Sequence, residues 1–373
     1  MSERVDRGLL RLADGVEPYP AEPSDEALAE SLGLPLDVLI RFDMNTLGGG
    51  PLPAVVRALA EYDPRRVVEY GDQAYRRLRA AISAATGAPP HRIIPGAGAD
   101  ELIRLVTGMV LGEGDRVTVP TPTFAMFAVE ARLAGARVVE VPRHDPWQQQ
   151  DVAAIRAAAV DSGSRLIWLC SPNNPTGDAY SPDAIERLAD GLDAVVAIDA
   201  VYQELAEVSA GAAPESWSLL DVQERLPNVV ILRSLAKAYG LAGARVGYLV
   251  VPEDMAARFE AARLPLAIGG PSEAAALGAL SDRPAARARL EEIVRQRERM
   301  ASALSAAGWR VLPSLTNFLL VRPPDAPATA ASLLRHGLAV REYVSGPLAG
   351  WLRITARSAA ENDRLLEALG IDG

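Results

Sequence analysis

Lys237 is the only lysine in this chain of 373 residues; every other member of its 38 Lys and Arg residues is arginine. The distinction is chemical. A guanidinium stays protonated and serves ion pairs, whereas a lysine amine can shed its proton, attack a carbonyl and form an imine. An Arg-rich composition that displaced lysine everywhere else would leave the same single residue, so the neighbours decide between the two readings. Three apolar runs end in polar groups: 166–170 is followed by S-P-N-N-P-T-G (171–177), 195–198 by Asp199-Ala200-Val201-Tyr202, and 229–232 by Arg233-Ser234-Leu235-Ala236-Lys237. A fourth segment, 93–101, opens a helix through Gly96-Ala97-Gly98-Ala99-Asp100. Ligands of open α/β sheets bind beyond the carboxyl ends of the strands, so these four ends can converge on one pocket.

Such convergence needs a sheet to carry it. The β-rich runs 116–119, 136–141, 165–170, 194–198, 228–232 and 246–251 mostly alternate with helix-like segments, an α/β rhythm that predicts a mainly parallel central sheet flanked by helices. Helix starts are legible as well: Ser181 precedes Pro182 and Asp183 ahead of A-I-E-R-L-A, and Asp100-Glu101 opens another helix. From about Pro271 the pattern changes to a long Ala/Arg/Glu helix over 283–307, a strand over 316–321, a helix ending near His336-Gly337, and strands over 338–342 and 351–355. The expected organisation is an N-terminal arm (1–45, with Pro18, Pro20 and Pro23) that packs with the small domain, a large domain (46–270) and a smaller α/β C-terminal domain (271–373).

Composition narrows the partner. A net charge of -10 and a pI near 5.0 argue against nucleic acid and anionic membranes, which select a clustered basic face, and leave a small metabolite. A single cysteine, Cys170, excludes an intrachain disulfide framework and suits a reducing cytoplasm. His91, His144 and His336 are scattered, so no metal site is expected. The first ten residues mix charges and lack the apolar core of a signal peptide, and every apolar run is interrupted well short of roughly 18 residues. A soluble cytoplasmic protein is the expectation.

Over nearly its whole length the chain resembles the fold type I pyridoxal-phosphate-dependent aminotransferases of class I and II, nearest the histidinol-phosphate aminotransferase branch. The strongest motif is R-S-L-A-K-A-Y-G-L-A-G-A-R-V-G-Y (233–248), with S-P-N-N-P-T-G nearly as specific. The resemblance implies pyridoxal 5'-phosphate held as an imine on Lys237, with its phosphate contacted by Arg245, Ser234 and the backbone N–H groups of Ala99 and Asp100. Asp199 matches the carboxylate that keeps the pyridine nitrogen protonated, the condition for the ring to act as an electron sink. Asn174 and Tyr202 match donors to the ring oxygen, and Phe124 matches the aromatic that stacks on the pyridine face.

On the substrate side Arg353, in W-L-R-I-T (351–355), matches the arginine fork for an amino acid carboxylate. Arg341 aligns with a further arginine of that branch, either touching the substrate's distal end or forming a structural ion pair. Tyr70, in E-Y-G-D, resembles a tyrosine sent across a dimer interface to the neighbouring subunit's phosphate, which implies a homodimer. Tyr19 and Asn45 resemble substrate-contacting positions, with packing or turn roles as the alternative. The chain departs from the pattern at Ala200, where an acid is usual, in N-T-L-G-G-G-P (45–51), and at Ala356-Arg357, where Val-Gly is common. The cofactor end is intact while the substrate end has drifted.

The expected activity is transamination between an amino acid donor, glutamate by family analogy, and a keto or aldehyde acceptor, in an amino acid biosynthetic or specialised pathway. A lyase, decarboxylase or cyclase on the same scaffold is the alternative, because one cofactor serves all of these reactions. Gly96-Ala97-Gly98 invites a dinucleotide site, but the third glycine and an acid at the end of the 116–119 strand are both missing. A cofactor-sensing regulator would need an added basic DNA-binding domain, which the chain lacks.

Overall fold

The computed structural model describes residues 22–371 apart from 144, 147, 149 and 212–218, so Tyr19 lies outside the described residues. The strands are β1 (Ile40–Arg41), β2 (Ile93–Gly96), β3 (Arg116–Thr121), β4 (Arg137–Pro142), β5 (Leu166–Cys170), β6 (Val195–Asp199), β7 (Val229–Ser234), β8 (Gly247–Val250), β9 (Arg310–Val311), β10 (Phe318–Arg322), β11 (Leu338–Ala339), β12 (Arg341–Tyr343) and β13 (Trp351–Thr355). Seven form the large sheet in the order β2-β8-β7-β6-β5-β3-β4. β3, β4, β5, β6 and β7 run parallel, and β8 alone is reversed. Because β8 opposes both its neighbours, β2 points the same way as β7. The last residues of β2, β7, β6 and β5, namely Gly96, Ser234, Asp199 and Cys170, therefore share one edge with the first residue of β8, Gly247.

The apolar runs behave as strands of a sheet covered on both faces. All of β5 is buried, and so are Val196–Asp199 in β6 and Val229–Leu232 in β7. Continuous burial is what removes alternation from parallel strands. Helix starts form where the capping residues predict: Ser181 Oγ accepts from Ala184 N at 3.2 Å ahead of the helix Pro182–Ala189.

A four-stranded antiparallel sheet, β12-β13-β10-β9, carries the C-terminal unit. The expected single strand over 338–342 divides at Val340: β11 pairs parallel with β1, while β12 pairs with β13. Ile40 and Phe42 thus join a core with Met300, Leu304, Leu319, Leu352 and Ile354. The larger core takes in Ala275, Ala276, Ala279, Leu290 and Ile293, so the helix Arg283–Ala306 contributes to both cores. Between β1 and the helix Pro53–Ala60 runs a loop, 42–52, that passes from one core to the other.

Candidate active site

The common strand edge gathers the predicted groups. Asp199 ends β6, is buried, and accepts the backbone N–H of Val201 at 3.2 Å. Burial pushes its carboxyl up to about 7, with the Val201 hydrogen bond and the Lys237 cation opposing the rise. Tyr202 follows one turn later at the start of the helix Gln203–Ser209, buried, with its phenol also pushed up by burial. Ser234 ends β7 and caps the short helix Leu235–Ala238, its Oγ accepting from Ala236 N at 3.1 Å. That cap fixes the turn from which Lys237 projects. Burial pulls the Lys237 amine down to about 8; Arg353 and Arg245 lower it further, and Asp199 and Asp100 oppose them. Four predicted charged groups thus act on one amine, whose Nζ also lies 5.8 Å from the Tyr202 ring centroid.

At the other end of this edge the helix Ala99–Val110 begins at Gly98 with no side-chain cap, so its first-turn N–H groups open toward the strand ends. Arg245 lies against that turn and donates from Nη2 to Asp100 Oδ2 at 2.9 Å, both side chains being half-exposed. Gly98 has φ 87°, and a Cβ there would stand 2.7 Å from Arg245 Nη2. Glycine is the residue that permits both the turn and the close guanidinium. Phe124, partly buried after β3, meets Phe127 edge-on at 5.8 Å, and Phe127 stacks on Trp168 of β5 at 4.8 Å.

The remaining wall comes from the small sheet. Arg353, in β13, donates from Nη1 to Asn174 Oδ1 at 2.6 Å and from Nη2 to the Asp43 carbonyl at 2.6 Å, with its guanidinium 5.5 Å from the Phe318 ring. Its buried Nε has no hydrogen-bond partner among the described residues. Asn45 is 3 % exposed with φ 53°, a left-handed conformation that asparagine tolerates better than most residues. Its Nδ2 donates to the Tyr202 hydroxyl at 3.0 Å, and its carbonyl accepts from Lys237 Nζ at 3.2 Å and Asn317 Nδ2 at 3.1 Å.

Two predicted residues, Arg341 and Tyr70, have other immediate partners or surroundings. Arg341 pairs with Glu22. Tyr70 is 88 % exposed beside the exposed Val67 and Val68, facing solvent in the single chain. Arg357, one of the departures from the family pattern, donates to the Arg41 carbonyl at 3.1 Å, Thr46 Oγ1 at 3.3 Å and Glu361 Oε1 at 2.8 Å. A Cβ on Gly48 would run into the Glu361 carboxylate. The drifted loop and the drifted β13 exit therefore brace each other. Thr355 and Asn317 went unpredicted, although a period of two along β13 places Thr355 on the face of Arg353.

A family model for class I and II aminotransferases matches residues 37–369. The chain belongs to that family. It is 40% identical over 372 residues to histidinol-phosphate aminotransferase of Roseiflexus castenholzii, covering 97% of each chain. The enzyme of that name from Xanthomonas axonopodis pv. citri is 40% identical over 311 residues, 80% of this chain and 83% of the relative. Among solved structures, histidinol-phosphate aminotransferase of Sinorhizobium meliloti in complex with pyridoxal-5'-phosphate superposes with a TM-score of 0.84 at 27% identity, covering 94% of each chain. As an aminotransferase of fold type I, the chain has the architecture its sequence motifs imply: an α/β fold with a mostly parallel central sheet. No helix among the described residues is long and apolar enough to cross a membrane, and no group of His, Cys, Asp or Glu among them could hold a metal ion.

Proposed function

We propose that this aminotransferase uses pyridoxal 5'-phosphate on Lys237 to move an amino group from glutamate to a keto or aldehyde acceptor, histidinol phosphate being the first substrate to test in the reverse direction. The observation that carries the reading is the single amine at the strand edge, pulled down to about 8 and ringed by Asp199, Tyr202, Asn45 and Arg353. The residues fit the cofactor. A buried carboxylate pushed up to about 7 suits a protonated pyridine nitrogen, an uncapped helix start with Arg245 suits a phosphate, and a partly buried guanidinium with an unpartnered Nε suits a carboxylate.

Bound there, the cofactor supplies an electron sink that lets a proton leave the substrate's Cα. The chain's residues do the rest. Asp199 holds the ring nitrogen's proton, which its buried position strengthens by excluding water. Tyr202 and Asn174 donate toward the ring oxygen. Arg353 would exchange its contacts with Asn174 Oδ1 and the Asp43 carbonyl for the substrate carboxylate and so fix the orientation of the Cα–H bond. Lys237, whose amine burial pulls down to about 8, would be the base that accepts that proton and gives it up again.

The partner subunit is part of the same proposal: Tyr70, with Val67 and Val68, lies on an exposed apolar patch suited to a homodimer interface that sends Tyr70 to the other subunit's phosphate. Hydride reduction of the yellow protein followed by peptide mapping tests the centre of the reading. A pyridoxyl group on Lys237 is expected, and its absence would overturn it. Assay of histidinol phosphate and a panel of other amines with 2-oxoglutarate as acceptor, read by glutamate formation, then identifies the substrates, and sedimentation velocity with and without Tyr70→Phe tests the dimer and the shared site.

A further inference from the structure

Asn45 joins four side chains that come from both halves of the molecule. Thr355, fully buried at the end of β13, accepts the Asn45 backbone N–H at 3.1 Å and donates from Oγ1 to Asn45 Oδ1 at 3.2 Å. Asn317, fully buried one residue before β10, holds the Asn45 carbonyl at 3.1 Å. These anchors are rigid neighbours, because β10 and β13 pair with Phe318 opposite Thr355. With Oδ1 satisfied by the threonine hydroxyl, Nδ2 is the end of the amide that faces Tyr202, and it donates to the phenol oxygen at 3.0 Å. A phenol that accepts at its oxygen must send its own hydrogen elsewhere. Among the described residues the Tyr202 hydroxyl has no second hydrogen-bond partner, and Lys237 Nζ lies 5.8 Å from its ring, so that hydrogen is left for a group bound beside Lys237.

We propose that Thr355 and Asn317 are positioning residues that act through Asn45 to fix Tyr202 as a donor toward the cofactor's ring oxygen. The inference rests on the cofactor reading above and adds two residues to which that reading gives no role. Were the amide reversed, Oδ1 would accept the phenol's hydrogen and Tyr202 would be lost as a donor. The orientation therefore decides how strongly the ring oxygen's anionic form is stabilised, and with it the pH at which the cofactor's visible band converts. The Asn45 carbonyl also receives the Lys237 amine, so the same residue keeps amine and phenol in register.

The test is a spectrophotometric pH titration of holoenzymes whose Lys237 adduct has first been verified by hydride reduction. Thr355→Val removes the hydroxyl that orients the amide while keeping its shape, and should raise the band's apparent pKa by about 0.5–1 unit, about a three- to tenfold change in that equilibrium. Thr355→Ser should restore the wild-type value. Asn45→Asp leaves only acceptors facing Tyr202 and should raise the value further, which keeps the test decisive if Thr355→Val does not fold. A wild-type protein without the adduct would remove the cofactor reading and this inference together. A labelled wild type, with Thr355→Val or, failing that, Asn45→Asp titrating as wild type does, would overturn the positioning role alone.

Discussion

The two walls of the pocket are built on different length scales. Asp199 and Tyr202 are three residues apart at the end of β6, and Ser234 and Lys237 three apart at the end of β7. The opposing wall joins Asn45 to Thr355 across 310 positions and to Asn317 across 272. The first wall needs only that a buried parallel strand ends in the right tetrapeptide. The second needs β10 and β13 paired in one register, since a one-residue slip would turn Arg353 and Thr355 to the opposite face, and it needs the chain leaving β1 to lie against the end of β13, where Thr355 N donates to the Phe42 carbonyl at 2.8 Å. On the function proposed above, chemistry falls to the wall that is locally determined, and substrate geometry to the wall that depends on the register of the small sheet.

The sharpest way to break this contrast is Lys237→Ala. On the local wall, removal of the only amine should lower turnover by about a thousandfold or more while circular dichroism and the thermal midpoint stay near wild type. Retention of activity in a stopped-flow transamination assay would mean that the two walls do not divide the labour in this way.

Legibility follows the same division. The inner strands β5, β6 and β7 were readable because continuous apolar runs are what two-sided burial demands, and the predicted group at the end of each was readable because it follows its strand within a few residues. β2 escaped notice as a strand because Pro95 and Gly96 interrupt a very short apolar run. The expected strand over 338–342 was one run in sequence but belongs to two sheets, a choice made by β1 and β13, hundreds of residues away in one case and ten in the other. Thr355 carried a usable signal in its spacing from Arg353. Asn317 carried none, since a single asparagine before an apolar run is an ordinary loop residue until a distant carbonyl is known to meet it.

Asp199→Asn separates burial from catalysis on the local wall. A carboxyl whose folded pKa is raised from 3.8 to about 7 contributes stability that is full below its unfolded pKa and is lost as pH rises toward 7. The cofactor-free wild type should therefore weaken between pH 4 and 7, and the asparagine variant should not. By pH 8 the difference should reach on the order of 2–4 kcal/mol in favour of the variant, read by urea unfolding of both proteins at pH 5 and pH 8. Parallel curves for the two proteins would show that the carboxylate is better solvated than its burial indicates.

On the distant wall, Arg353→Lys keeps the charge and removes the fork. The loss should fall on kcat/KM for the amino donor, by roughly 10–100-fold, because a point charge cannot hold a carboxylate at two oxygens or stack over Phe318. Steady-state kinetics with several donors would show KM rising for every α-amino acid. A fall confined to one donor would instead locate the guanidinium at the side-chain end of the substrate.

Arg341→Gln is the finest probe, because it asks where the distant wall stops. Arg341 stands opposite Arg353 in the β12–β13 register, and like charges facing each other across a strand pair cost stability unless something offsets them. Glu22 does so from the N-terminal segment, with both side chains of the pair about a quarter exposed. That pair gives the arginine a structural role beside the proposed one at the substrate's distal end. Removing it should change stability by only about 0–1 kcal/mol, as for partly exposed ion pairs generally, and leave kcat/KM within about twofold of wild type. A tenfold rise in KM for a phosphate-bearing substrate, with no change for glutamate, would place Arg341 at the distal end of that substrate and extend the register-dependent wall by one strand.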